Sequence, residues 1–159
     1  MDGLREDFNR QFLRIHRNSL SLIAAVPAER LYWKPRESQG AIPIYSCGEQ
    51  VLRSAGVVEQ TFGGLTTNLW DDPFEWTLPE TLSTSDLVVR YLNEVEATRL
   101  RGFQLFRSDR DLMKEIVVPS GERQTISALL MATLVGSAHY QGRAFATFRL
   151  FSNASIPTI

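Results

Sequence analysis

Apolar side chains recur at helical spacing in four long stretches of this chain. From about Leu4 to Ala25, Phe8, Phe12, Ile15, Ser19, Leu22 and Val26 fall on one stripe, while Arg10, Arg14 and Arg17 lie off it. Pro27 stops the segment, and Pro27-Ala28-Glu29-Arg30-Leu31 allows a short extra turn, since proline is tolerated at a first helical position. A second segment, about Cys47 to Leu65, carries Val51, Ser54 or Ala55, Val58, Phe62 and Leu65 on its stripe. Ser46-Cys47-Gly48-Glu49 opens it as a capping box, a hydroxyl at the N-cap and a carboxylate three residues on, each satisfying an orphan backbone donor. The third segment, about Asp86 to Phe106, turns Val88, Tyr91, Leu92, Val95 and Gly102 or Phe103 inward; Ser83-Thr84-Ser85-Asp86 caps it and Ser108-Asp109-Arg110-Asp111 ends it. The fourth, about Ile126 to Phe151, is capped by Thr125.

Between these segments lie a loop at Arg36 to Tyr45 and a long irregular connection at Thr66 to Ser83. The connection holds Trp70, Phe74 and Trp76, aromatics that are expected to pack on the bundle as a lid or to form an oligomer contact. The β-branched triplet Ile116-Val117-Val118 before Pro119-Ser120-Gly121 predicts a short extended stretch and a turn, compatible with a small hairpin. Ser152 to Ile159 reads as a C-terminal tail, with Pro157 barring helix. The prediction is an all-α four-helix bundle, one domain over 1–151 with the tail at 152–159.

Composition adds mainly exclusions. The 159 residues suit one domain with a proper core, and 43% apolar and 22% charged residues are an ordinary globular balance. A net charge of -1 gives no footprint for nucleic acid or an anionic membrane. Arg99, Arg101 and Arg107 stand near Glu94 and Glu96 and read as a solvated helix face. The one cysteine, Cys47, excludes an intrachain disulfide and a thiolate zinc cluster, and fits a reducing, cytoplasmic setting. No signal-type N-terminus is seen, and the longest apolar run, near Leu20 to Val26, falls far short of a bilayer span.

The fourth segment carries the chemistry. Its run Gly136-Ser137-Ala138-His139-Tyr140-Gln141-Gly142-Arg143 resembles the motif H-x-x-x-H-x-G-Q of the DinB/YfiT-like bundles, a family regarded as metal-dependent enzymes. Val26 to Pro35 resembles the family's usual segment after the first helix, and Ser46 to Gly56 resembles the start of its second, so the likeness spans about Phe8 to Phe151. The resemblance implies a four-helix bundle, often a homodimer, whose metal is held by one histidine from helix two and two from helix four. Carried over, those histidines fall on Ser54 (or Arg53, one residue earlier), Gly136 and Tyr140. None is an imidazole, thiolate or carboxylate, the ligands zinc or nickel favour, so no divalent metal cofactor is expected.

At about 100° per residue, Gly136 and Tyr140 share a face, Arg143 projects towards it and His139 sits on its flank. Arg143 is therefore expected to supply a fixed positive charge for an anion or carboxylate, with Ser54 and Tyr140 as neutral hydrogen bonders. His139 reads as a core or interface histidine, with a relocated metal ligand or pocket group as the alternative, His16 as a surface or edge residue, and Glu59 as facing solvent or another helix. Cys47, at a helix N-terminus, is a further pocket candidate, with a buried structural thiol the simpler reading. The function expected is a non-catalytic or small-molecule-binding member of the family, taking an anion. The alternative is a metal-dependent (zinc or nickel) or metal-free transferase or hydrolase of the DinB/YfiT type, for example a thiol-dependent S-transferase.

Overall fold

The computed structural model describes residues 3–156. Its elements are α1 (Gly3–Ala25), α2 (Cys47–Thr67), α3 (Ser85–Phe103), a one-turn α4 (Asp109–Leu112), strands β1 (Glu115–Val117) and β2 (Arg123–Thr125), and α5 (Ile126–Phe148). The expected tail lies partly beyond the described residues, and Pro157 falls outside them.

Local chemistry sets most boundaries. The box at the start of α2 is formed: Glu49 N–H donates to Ser46 Oγ at 3.2 Å and Ser46 N–H to Glu49 Oε2 at 2.7 Å. Thr84 and Thr125 cap α3 and α5 by accepting from the backbone of Leu87 and Ala128. α2 ends at Asn68, whose φ of 55° is the left-handed cap conformation. The hairpin pairs Glu115 with Thr125, Ile116 with Gln124 and Val117 with Arg123 around Gly121, which turns with φ 85°.

Two boundaries differ from expectation. The third helix stops at Phe103, and α5 stops at Phe148. Ser108 to Asp111 does not merely end a helix; it forms a second capping box and opens α4. α4 presents Asp109 to the start of α1, where the carboxylate accepts from the N–H of Leu4 and Arg5 at 3.1 and 2.9 Å. An anion at a helix N-terminus satisfies free N–H groups and opposes the helix dipole.

α2 packs mainly on α5 and α3, and α1 closes the bundle against α3 and α5. One end of the core is aromatic, with Phe12 edge-on to Phe62 and Phe103, and Phe106 edge-on to Phe103. The α2–α5 seam is made of small polar residues. Ser54 Oγ donates to the Ser137 carbonyl at 2.8 Å, Ser137 Oγ returns a bond to the Ser54 carbonyl at 2.9 Å, and Thr61 meets Thr133 at 2.7 Å. Gly136 sits in the same seam, where an added Cβ would stand 3.3 Å from Val57.

The 68–84 connection lies over the outer side of α2, which is glycine at the points of closest approach. A Cβ on Gly64 would meet the Trp70 indole at 2.3 Å, and one on Gly56 would meet the Phe74 ring at 2.5 Å. The aromatics of the connection thus cover the bundle, as their number suggests, though Trp76 is left half in solvent. Among the described residues no helix is long and apolar enough to cross a membrane.

Candidate functional site

α5 places its side chains one residue away from the inward face that its periodicity predicts. Its buried residues are Ile126, Leu129, Leu130, Thr133, Ser137, Gln141, Ala144, Phe145 and Phe148. Gln141 reaches across to α1, donating through Nε2 to the Ile15 carbonyl at 2.7 Å and Ser19 Oγ at 2.8 Å. Gly136 and Tyr140 are half-buried at the edge of the α2 contact, and Arg143 and His139 are exposed. The role expected of Arg143 fails on this geometry, since an exposed guanidinium off the inward face does not line an interior pocket. His139 is likewise not a core residue; its ring meets Tyr140 edge-on at 5.6 Å. The physical reason is that α5 is apolar around most of its circumference, so its pattern does not fix its rotation.

Cys47 is also moved off the site. It is fully buried in the core, and burial pushes its thiol up to about 12, out of the range of a reactive thiolate. Ser54 is fully buried, tied to Ser137, and meets the wall of an interior cavity.

The other residue in question on α2, Arg53, faces the groove between α2 and the 68–84 connection. Its guanidinium carbon lies 4.0 Å from the centre of the Tyr45 ring and 4.4 Å from that of Phe74. Phe74 in turn meets Tyr140 edge-on at 6.4 Å. Of the three positions to which the family's histidines carry over with the Arg53 register, Arg53 and Tyr140 are thus bridged by Phe74, and Gly136 lies on the α2–α5 contact against Val57. With the Ser54 register there is no such bridge, because Ser54 points into the bundle. Beside Arg53 is a cavity of about 40 Å³, lined also by Glu49, Leu52, Phe74, Thr77, Leu78 and Pro79. Glu49 holds the α2 cap and lies 3.6 Å from Lys34. Among the described residues no carboxylate pairs with Arg53 and no acceptor meets its N–H groups.

The donor set of these positions does not fit a three-imidazole metal centre. Arginine is a permanent cation, glycine has no side chain, and a neutral phenol is a poor ligand for zinc or nickel. Elsewhere among the described residues no three His, Cys, Asp or Glu side chains come together in a metal-binding group.

The fold can be compared with solved structures. A DinB-like protein from Bacillus cereus ATCC 10987 superposes with a TM-score of 0.73 at 15% identity, covering 97% of this chain and 96% of that one. This chain has the DinB-like fold. A protein provisionally assigned to the DinB family, from Exiguobacterium sibiricum 255-15, superposes with a TM-score of 0.69 at 14% identity, over 98% of this chain and 97% of its own. No protein-family model matches the sequence, and no curated protein matches it. At such identities the likeness establishes the architecture of the DinB-like bundle and leaves its chemistry to the residues present.

Two sites in this DinB-like bundle were not legible in the sequence. The first is interior. Arg99 is 1% exposed and not on a solvated face. Its Nε and Nη2 donate to Glu96 at 2.7 and 2.5 Å, and its Nη1 donates to Asn9 at 2.8 Å. Arg99, Glu96 and His16 line a cavity of about 30 Å³ at the centre of the four long helices, room for little more than water. His16 is thus half-buried in the wall, and desolvation holds its pKa below the usual value in spite of Glu96. The second is a groove of about 380 Å³ between α2 and α3, under Trp76. There Tyr91 donates to Glu59 Oε2 at 2.5 Å, and burial, with Glu94 nearby, holds the Glu59 carboxyl above its ordinary range. Charge spacing alone could not reveal either, because each partner comes from a different helix, except the i,i+3 pair Glu96 and Arg99.

Proposed function

We propose that this chain is a small-molecule-binding DinB-like protein that takes an anionic ligand at Arg53, in the groove between α2 and the 68–84 connection, without catalysis and without the family's divalent metal. The observation that carries this reading is Arg53. A permanent positive charge, half-buried and without a carboxylate partner among the described residues, stands at a position where related bundles would hold a cation of another kind. A buried or half-buried cation favours an anion beside it, because low dielectric and loss of water both raise the cost of leaving it alone. The expectation from Arg143 is thereby transferred to a different residue for a geometric reason. A cytoplasmic protein is in keeping with its single reduced cysteine. A homodimer, which the resemblance implies, would find a surface on the outer side of α5, where Met131 and Val135 are 53% and 64% exposed among Ala128, Ala132 and Ala138.

The test joins metal analysis of the purified protein to a thermal-shift screen with anions, carboxylates and low-molecular-weight thiols. The expected result is metal well below one equivalent and a melting temperature raised by anionic compounds, as mass action requires of a ligand that binds only the folded state. One equivalent of tightly held zinc or nickel would overturn it.

A second reading, a transferase or hydrolase, draws on the Glu59 and Tyr91 pair, since a carboxyl with a raised pKa in a groove of small-molecule size is a common setting for a general acid or base. Turnover of a model ester or thiol substrate that is lost in Glu59→Gln would favour it over the binding role.

A further inference from the structure

Resting on the reading of an anion-binding groove, we propose that its ligand is an organic monocarboxylate with an apolar body, held edge-on by Arg53. The argument begins with the shape of the guanidinium. Its N–H donors lie in its plane, and its two faces are where aromatic rings stack. With its carbon 4.0 and 4.4 Å from the centres of the Tyr45 and Phe74 rings, the guanidinium is held by two cation–π contacts that take up none of its N–H donors in a hydrogen bond. No acceptor among the described residues meets its N–H groups. A pair of parallel N–H groups in a plane matches the two oxygens of a carboxylate.

The surroundings narrow the class. The cavity beside Arg53, about 40 Å³, holds a small polar group such as a carboxylate head and no large one. Glu49 lines the same cavity and is committed to the helix cap, so a second negative charge on the ligand would meet a carboxylate that cannot move away without uncapping α2. That disfavours a phosphate dianion relative to a carboxylate. Leu52, Leu78 and Pro79 complete the lining, and Leu78 is 45% exposed, so an apolar body leaving the cavity has hydrocarbon to lie on.

The full chain is titrated with benzoate, hexanoate, benzamide and phenyl phosphate, by calorimetry and by the side-chain Nε–Hε signals of arginine in nitrogen-15 spectra. Benzoate or hexanoate is expected to bind and to move the Arg53 signal; benzamide, which has the same shape without the charge, is expected to leave it in place. Arg53→Gln should weaken carboxylate binding by roughly tenfold or more, the value of hydrogen bonds to a charged group. Arg53→Lys, which keeps charge without the planar fork, should weaken it too and carries the test if the glutamine variant fails to fold. Phenyl phosphate should bind more weakly than benzoate and gain on it in Glu49→Gln. The inference is overturned if neither carboxylate binds, if benzamide binds as well as benzoate, if phenyl phosphate is preferred, or if binding survives in both Arg53 variants. Anion binding that ignores Arg53 would leave the binding-protein reading standing and remove only this site. A stoichiometric metal, or a chain that binds no anion, would remove the reading itself.

Discussion

At the scale of single residues, the interior of this bundle holds more charge and polarity than its sequence suggests, and each group has a distinct energetic sign. Arg99 is held by three hydrogen bonds and is 1% exposed. Removing it leaves Glu96, whose side chain is 13% exposed, as a buried charge without its partner. Arg99→Ala is therefore expected to cost about 3–5 kcal/mol in urea denaturation, while Arg99→Met together with Glu96→Gln should recover a large part of the loss. Glu59 works in the opposite sense. Its folded-state pKa is raised above 4.5, so the stability it lends is present below that pH and is lost as pH rises through the folded value. Glu59→Gln keeps an acceptor for Tyr91 and removes the charge. Its stability relative to the unmodified protein should grow as pH rises above 4.5 towards neutrality, measured as the difference between paired denaturation curves. An unchanged difference across that range would contradict the assignment. Cys47 gives a simpler check: with its thiol pushed up to about 12 and fully buried, it should react with a thiol reagent only after unfolding.

At the scale of elements, the way the connection is laid on α2 depends on hydrogen atoms standing where side chains would be. A methyl at Gly64 would lie 2.3 Å from the Trp70 ring, well inside van der Waals contact, and the indole is too large to yield by a small rotation. Gly64→Ala should lose about 1–3 kcal/mol through overpacking despite alanine's better helix propensity. Gly142 in α5 has nothing within 4 Å of an added Cβ, so Gly142→Ala should gain about 0.5–1 kcal/mol on propensity alone. Thermal or chemical denaturation of the two variants, run together, separates steric need from conformational preference. If both variants gain stability, the packing of Trp70 on α2 is not as described.

At the scale of the whole molecule, α5 is the element whose two sides serve different ends. Its inner side joins α2 by short hydroxyl bonds and reaches α1 through Gln141. Its outer side leaves Met131 and Val135 largely in solvent. A helix that is apolar on both sides is more often covered than not. The proposed homodimer should show twice the chain mass by light scattering at micromolar concentration, and Val135→Glu should return it to one chain mass without a change in helical content. A species of one mass in both proteins would remove α5 as the contact.

The sequence by itself determined the elements. Helical spacing, the Ser46–Glu49 box, the threonine caps and the turn at Gly121 are local interactions, complete within a few residues, so they could be read before any fold was known. The bundle and its resemblance to the DinB-like fold were legible for the same reason, because the order and spacing of such segments leave few ways to bury their apolar stripes. Which residues meet was decided only in tertiary structure. The second segment left Ser54 and Arg53 as alternatives; the reciprocal bond with Ser137 takes Ser54 inside, while Arg53 stands against Tyr45 and Phe74. The fourth segment misled, since a stripe of period 3.6 marks a face only where the opposite side is polar. On α5 small apolar residues run round the helix, so its rotation, and with it the positions of Arg143 and His139, was set by what α2 and α1 present to it.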